Sequence, residues 1–313
     1  MSDVTLVPLD TADPRVVGAL LNDELLAWKS ELGWDYRDVQ RILQSLIARK
    51  ALPGYLAAES EQPVGYVYFL SHAAKGVIGT IYCIGNPASQ PVVDSLLEAA
   101  VTALRKNVFL RRIEAQVMPF RGANLTNGFL RHGFELYPRH FLELDLARLP
   151  ARGAPGVEGK IVSWSPAHLS GAARVAWLGY RNQIDSRICE DYCTESGCEG
   201  YLRSLVETPG CGIFLPAASY CALDSRGLVC GFITVSKVSP TGAMIPQISI
   251  VPSHQGRGLG KALMAHTLSA LALQGYRTVG LTVTVENRRA IEWYHREGFR
   301  LRKEFAAYVW QRP

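Results

Sequence analysis

In the C-terminal half of the chain the apolar positions switch repeatedly between a period of two and a period near 3.6. Ile161–Trp164 is a short alternating run, Ala167–Tyr180 has helical spacing, and Gly200–Glu207 repeats that spacing more briefly. Ser219–Leu223, Val229–Val238 and Ala243–Val251 then read as successive strands. Turn formers separate them, at Asp224-Ser225-Arg226-Gly227 and Ser239-Pro240-Thr241-Gly242. Met264, Leu268 and Leu271, at i, i+4 and i+7, predict a helix. Alternating Val and Thr over Thr278–Val285 predict a strand, a helix starts near Asn287, and a terminal strand pair covers Phe299–Trp310. The N-terminal half follows suit, with strands near 64–71 and 77–84, a helix near 91–106 and a strand near 111–118. Antiparallel strands first and a helix-linked strand later predict an α/β fold with a mixed, mostly antiparallel sheet flanked by helices.

The loop that enters the Met264 helix carries the first chemical signal. Val251 ends a strand, and Gln255-Gly256-Arg257-Gly258-Leu259-Gly260-Lys261 follows. The first amides of a helix have no intrahelical partner and the macrodipole is positive there, so a glycine-opened helix start is an anion site. Spacing excludes two phosphate loops. A Walker A loop would need Gly where Gln255 stands and Ser or Thr where Ala262 stands, and the dinucleotide fingerprint would need Gly where Lys261 stands. The register present is Gln-x-x-Gly-x-Gly, at Gln255, Gly258 and Gly260. About thirty residues on, Asn287 is placed to cap a helix and Gly298 to stop it, with Ala290 and Tyr294 sharing one face at i, i+4. Together these segments resemble the two signatures of the GNAT acetyltransferase superfamily, the coenzyme A pyrophosphate loop and Asn-x-x-Ala-x-x-x-Tyr followed by Gly-Phe. The resemblance covers roughly residues 161–313.

The first half reads as a worn copy of the second. Arg131-His132-Gly133-Phe134-Glu135-Leu136 recurs as Arg296-Glu297-Gly298-Phe299-Arg300-Leu301, an offset of 165 that also places Pro87 on Pro252 and Gln90 on Gln255. At that offset Gly256, Gly258 and Gly260 become Pro91, Val93 and Ser95, Tyr294 becomes Phe129, and Asn287 becomes Gly122. Pro91 has no amide hydrogen, and side chains stand where a phosphate would approach. The expectation is two tandem GNAT-like domains. A degenerate domain would span 1–146, a linker 147–160 rich in Pro, Gly and Ala, and a catalytic domain 161–313.

Charge sharpens this division. Residues 1–150 carry 15 Lys and Arg against 16 Asp and Glu, whereas residues 151–313 carry 18 against 12. The positive half holds the glycine loop, as a polyanionic ligand would require, although an ordinary solvated surface has the same signature. The excess is too small for nucleic acid to be an expected partner. No apolar run reaches the roughly 18 residues of a membrane helix, and Met1-Ser2-Asp3-Val4 does not open a secretory signal, so a cytoplasmic protein is expected. Seven cysteines, with Cys189, Cys193 and Cys198 at spacings unlike zinc sites, read as reduced structural thiols, and no metal is expected.

The resemblance implies acyl transfer from acetyl-CoA to an amine of a small molecule or peptide. Amides around Gly256, Arg257, Gly258, Leu259, Gly260 and Lys261 would hold the pyrophosphate, with Gln255 shaping the turn. Backbone groups at Ile250 and Val251 would pair with the pantetheine arm. Asn287 would lie beside that arm or serve only as a cap. Tyr294 would protonate the leaving thiolate, or be a core aromatic. Many members place a Glu on the strand before the loop. Here that strand, Pro246 to Val251, has no carboxylate, so Gln247 and Ser249 are expected to hold a relaying water. Asp185, Glu190, Asp191, Glu195 and Glu199 either line a wall for a cationic acceptor or form a solvated loop. The N-terminal copy would wall the acceptor site. Mycothiol synthase is one tandem family with a single working copy, but no motif selects its acceptor over an aminoglycoside, a polyamine, an amino acid or a protein N-terminus. The missing carboxylate also admits a second reading, an acyl-CoA sensor without turnover.

Overall fold

A computed structural model describes residues 4–85, 87–148 and 156–312. They divide into two compact units, Met1–Arg139 with Glu304–Pro313, and His140–Lys303. In the first unit come β1 (Val4–Pro8), α1 (Pro14–Leu32), α2 (Arg37–Ala48), β2 (Gly54–Glu59), β3 (Gln62–His72), β4 (Lys75–Cys83), α3 (Gln90–Arg105), β5 (Arg112–Ala115) and α4 (Thr126–Arg131). Local chemistry fixes the limits of α1. The Asp13 carboxylate accepts from Arg15 N, Pro14 presets the first helical φ, and Gly33 closes the helix at φ 70°. Strands β1 to β4 pair antiparallel, and α3 returns the chain so that β5 runs parallel to β4. One face of α3 carries Val92, Val93, Leu96, Leu97 and Ala100 into the core.

Strand β6 (Glu135–Asp145) leaves the first unit at His140 and enters the second. There follow β7 (Lys160–Ser163), α5 (Leu169–Tyr180), α6 (Ile184–Ile188), α7 (Glu195–Glu207), β8 (Ile213–Phe214), β9 (Tyr220–Leu223), β10 (Val229–Lys237), β11 (Gly242–Ile250), α8 (Leu259–Leu273), β12 (Thr278–Thr284), α9 (Arg288–Glu297) and β13 (Arg300–Gln311). The order within this unit is β6-β12-β11-β10-β9-β7, with β8 pairing β10. The β10–β11 pair is antiparallel and the β11–β12 pair parallel, so the sheet is mixed, as the sequence pattern predicts. Its core gathers Ile233, Val235, Leu263, Met264 and Phe299 with Leu142 and Leu144 from β6.

The first compact unit joins two separate spans and the second runs unbroken from His140 to Lys303, unlike the expected spans 1–146 and 161–313. Leu142 and Leu144 pack in the second core, while Ala306 and Tyr308 from the end of β13 pack in the first. Tyr308 pairs with Ala115 of β5 and stacks on Phe129 at 3.9 Å. Residues 149–155 of the expected linker lie outside the described residues. Alternation along β6 and β13 marks them as half-buried strands, but period alone does not say which core receives them.

Candidate functional site

The parallel pairing of β11 with β12 ends at Ile245↔Leu281. Pro246 comes next and has no amide hydrogen to continue that ladder. From Gln247 to Ile250 the strand pairs only with β10, in the register Gln247↔Thr234 to Ile250↔Gly231. The outward edge at Ile248 and Ile250 is therefore open to other donors. Tyr180 Oη donates to Ile248 O at 3.3 Å and Gln255 Nε2 donates to Ile250 O at 3.0 Å. Gly231 makes room for this edge, because a Cβ there would stand 2.5 Å from Ile250 Cδ1.

Immediately after this edge lies a run of unpaired donors. No amide from Gly256 through Lys261 donates to any described group, and the first that does is Ala262 N, to Gly258 O at 2.9 Å. Six consecutive N–H groups at the positive end of a helix form an anion cradle. Gly256 and Gly258 turn the chain through φ 77° and 82°, the left-handed region that favours glycine. Gly260 is helical, and a Cβ there would meet the Trp293 ring at an ordinary 3.8 Å. Leu259 anchors the first turn in the core, while Lys261 is exposed. Arg257 is exposed and reaches Glu158 at 3.8 Å, a contact of little energetic weight. The corresponding entrance to α3 is differently made. Pro91 has no donor, Val93 N donates to Ser89 O at 3.1 Å, and Gln90 Nε2 bonds Asn124 O and Asp94 Oδ1, each at 2.9 Å.

The remaining expected residues separate into two groups. Asn287 caps α9, its side chain accepting from Ala290 N at 3.3 Å, and Gly298 ends that helix at φ 105°. Gln247 is 5 % exposed. Its amide nitrogen donates to the hydroxyls of Tyr192 and Tyr201, and its Oε1 has no hydrogen-bond partner among the described residues. Ser249 is also buried. Its Oγ lies 3.4 Å from Val175 O, and a Cβ on Gly179 would press it at 2.3 Å. Both side chains are thus turned into packing against α5, α7 and the turn between α6 and α7. Val251 N is taken by Cys230 O at 2.9 Å.

Tyr294 is 7 % exposed, with Trp293 and Phe299 against its ring and no hydrogen bond from its hydroxyl to a described group. Burial, and then the negative charge of Asp185, push its phenol above the usual range. It stays protonated across neutral pH and so can give up a proton but not serve as a base. Of the five acids named in the sequence, Asp185 is the one whose charge acts on Tyr294. Its Oδ1 accepts from the hydroxyl of Thr284, at the end of β12, at 2.8 Å. Glu199 instead pairs with Arg203 at 2.9 Å on the surface of α7. Thr284 and the tyrosines at 180, 192 and 201 carried no motif signal, since they come from separate elements and meet only in the fold. Burial raises the thiols of Cys198 and Cys221 to about 12, so neither is a thiolate nucleophile at neutral pH.

The sequence model of the Acetyltransferase (GNAT) family matches residues 187–299. A mycothiol acetyltransferase of Clavibacter sepedonicus is 37 % identical over 87 residues, which is 28 % of this chain and 28 % of that protein. The chain thus matches little more than a quarter of that relative's length. Two solved structures share the fold over nearly the whole chain. A tandem GNAT protein from the clavulanic acid biosynthesis pathway superimposes with a TM-score of 0.66 at 16 % identity, covering 99 % of this chain and 98 % of its own. A GCN5-related N-acetyltransferase from Sphaerobacter thermophilus superimposes with a TM-score of 0.70 at 15 % identity, covering 99 % and 96 %.

Proposed function

We propose, with the match of residues 187–299 to the GNAT acetyltransferase family model as the premise, that this chain is an N-acetyltransferase. It moves an acetyl group from acetyl-CoA to an amine of a small molecule or peptide, and the active site lies in the unit His140–Lys303. One observation carries this reading: six consecutive unpartnered amides, Gly256 to Lys261, directly follow a strand edge left open beyond Ile245. The cradle suits a pyrophosphate, and the open edge at Ile248 and Ile250 suits an extended amide-bearing arm that adds alongside a strand. To bind there, the arm would displace the Gln255 and Tyr180 side chains from those carbonyls.

The chain's own residues then have distinct tasks. The amides orient the ligand, so that its thioester meets the acceptor in a fixed geometry. Tyr294 supplies a proton to sulfur as the carbon–sulfur bond breaks. Calorimetric titration of acetyl-CoA into the full chain tests the proposal, followed by thiol release against a panel of a polyamine, an aminoglycoside, an amino-acid amide and a peptide N-terminus. One site per chain and amine-dependent thiol release are expected. Absence of binding overturns the reading. Binding without release against any amine would favour a non-catalytic acyl-CoA sensor instead.

A further inference from the structure

We infer that Asp185 is the carboxylate that holds the acceptor's amino group and takes its proton, a role that β11 leaves open; this rests on the acetyltransferase reading above. The stretch Pro246–Val251 contains no acid, Gln247 is held by Tyr192 and Tyr201, and Ser249 faces Val175 O. Other titratable groups near the motifs point elsewhere. His254 Nδ1 is engaged with Ser253 Oγ at 3.0 Å, and His295 Nδ1 with Phe299 O at 3.0 Å. Asp185 is different in three respects. It is partly exposed, it lies close enough to Tyr294 to act on its phenol, and it forms no ion pair with any described residue.

Its surroundings aim it. Thr284 is fully buried, and its hydroxyl occupies Oδ1 at 2.8 Å, leaving Oδ2 without a hydrogen bond from a described group. Thr284 is thus a positioning residue. On its own helix the other charge is Arg187, the turn packed on α6 brings Glu190 and Asp191, and α5 ends on Arg181, which lies over Trp177 at 5.1 Å. A carboxylate without a cation partner among the described residues, whose charge acts on a phenol that stays protonated, fits a primary amine that arrives as an ammonium.

The proton balance closes. The ammonium first gives one proton to solvent through Asp185; the neutral amine then attacks the thioester carbon, the nitrogen–carbon bond forms, and the nitrogen's surplus proton passes to Asp185. The carbon–sulfur bond breaks, and the sulfur takes the proton of Tyr294. Transfer from Asp185 to the phenolate through water restores both groups, and no further reactant is needed.

The test uses full-length Asp185→Asn, Asp185→Glu and Thr284→Val, with the best amine of the panel above. Asp185→Asn should bind acetyl-CoA as the wild type does. At pH 7 it should lose about a hundredfold or more in kcat/KM for the amine. The loss should shrink as pH rises and the free amine becomes abundant, a pH profile that packing damage would not produce. Asp185→Glu should recover part of it. Thr284→Val should lose about tenfold in kcat/KM with cofactor affinity unchanged, and Thr284→Ser should retain activity. Asp185→Asn activity within threefold of wild type at pH 7, with cofactor bound, overturns the inference and leaves the acetyltransferase reading standing. A wild type that binds acetyl-CoA and transfers to no amine overturns both. Should Asp185→Asn not fold, full activity of Thr284→Val also overturns the role given to Asp185.

Discussion

At the scale of single residues, the two most informative groups are buried ones with opposite fates. Tyr294 has a packed ring and a hydroxyl that no described residue binds. Removing that hydroxyl should therefore leave the fold intact. Tyr294→Phe is expected to keep its melting temperature and its acetyl-CoA affinity while kcat falls about a hundredfold, as loss of a general acid does. Full activity in the variant would make the phenol a core aromatic and nothing more. Glu24 in α1 is fully buried, with Trp28 Nε1 donating to Oε1 at 3.2 Å, Thr80 Oγ1 at 3.3 Å and Tyr66 Oη donating to Oε2. Desolvation outweighs these donors and raises its pKa to about 7. The folded protein therefore binds a proton that the unfolded chain has already released between about pH 4.5 and 7. Stability from this group is complete below that window and lost as pH rises through it, by about 3 kcal/mol. Unfolding midpoints in urea should fall between pH 5 and about 7 in the wild type, and Glu24→Gln should flatten that fall. An unchanged slope in the variant would assign the dependence to other groups.

At the scale of elements, the join between β11 and α8 concentrates the binding chemistry. The turn succeeds because Gly256 and Gly258 supply positive φ, and the six amides from Gly256 to Lys261 are left without partners among the described residues. Gly258→Val places a β-branched side chain at φ 82°, which costs roughly 1–3 kcal/mol and reshapes the cradle. Acetyl-CoA titration should show binding lost or weakened by at least tenfold, with the cofactor-free protein still folded by circular dichroism. Wild-type affinity in Gly258→Val would remove the loop from the site. The capping expectations were legible at this scale: Asn287 and Gly298 bracket α9 where the residue types foretold it, because caps are made within one turn of chain. The water-relay expectation for Gln247 and Ser249 rests on strand position alone. The fold turns both side chains into protein contacts, through tyrosines 46 and 55 residues away in the case of Gln247 and through Val175 in that of Ser249.

At the scale of the whole molecule, each compact unit is completed by chain from the other half of the sequence. Deleting Glu304–Pro313 should therefore weaken the unit Met1–Arg139, where Tyr308 pairs with β5 and stacks on Phe129. Hydrogen exchange is expected to quicken in β4 and β5 and to change little in α8. The reverse pattern would mean that β13 supports the second unit instead. For the same reason, a fragment beginning at residue 161 lacks Leu142 and Leu144 from the core of its unit and should be less stable than one spanning 140–303.

What the sequence determined by itself is what short-range chemistry dictates. The alternation that makes strands, the glycines that turn the loop, the cap of α9, the repeat at offset 165 and the resemblance to the GNAT signatures all lie within a few residues or in direct comparison of segments. Only the tertiary structure decided where β6 and β13 belong, because alternation records that one face is buried and not what buries it. It also decided which of five acids bears on Tyr294. Asp185 and Thr284 are 99 residues apart, and no local pattern reports a contact made by two distant elements converging on one site.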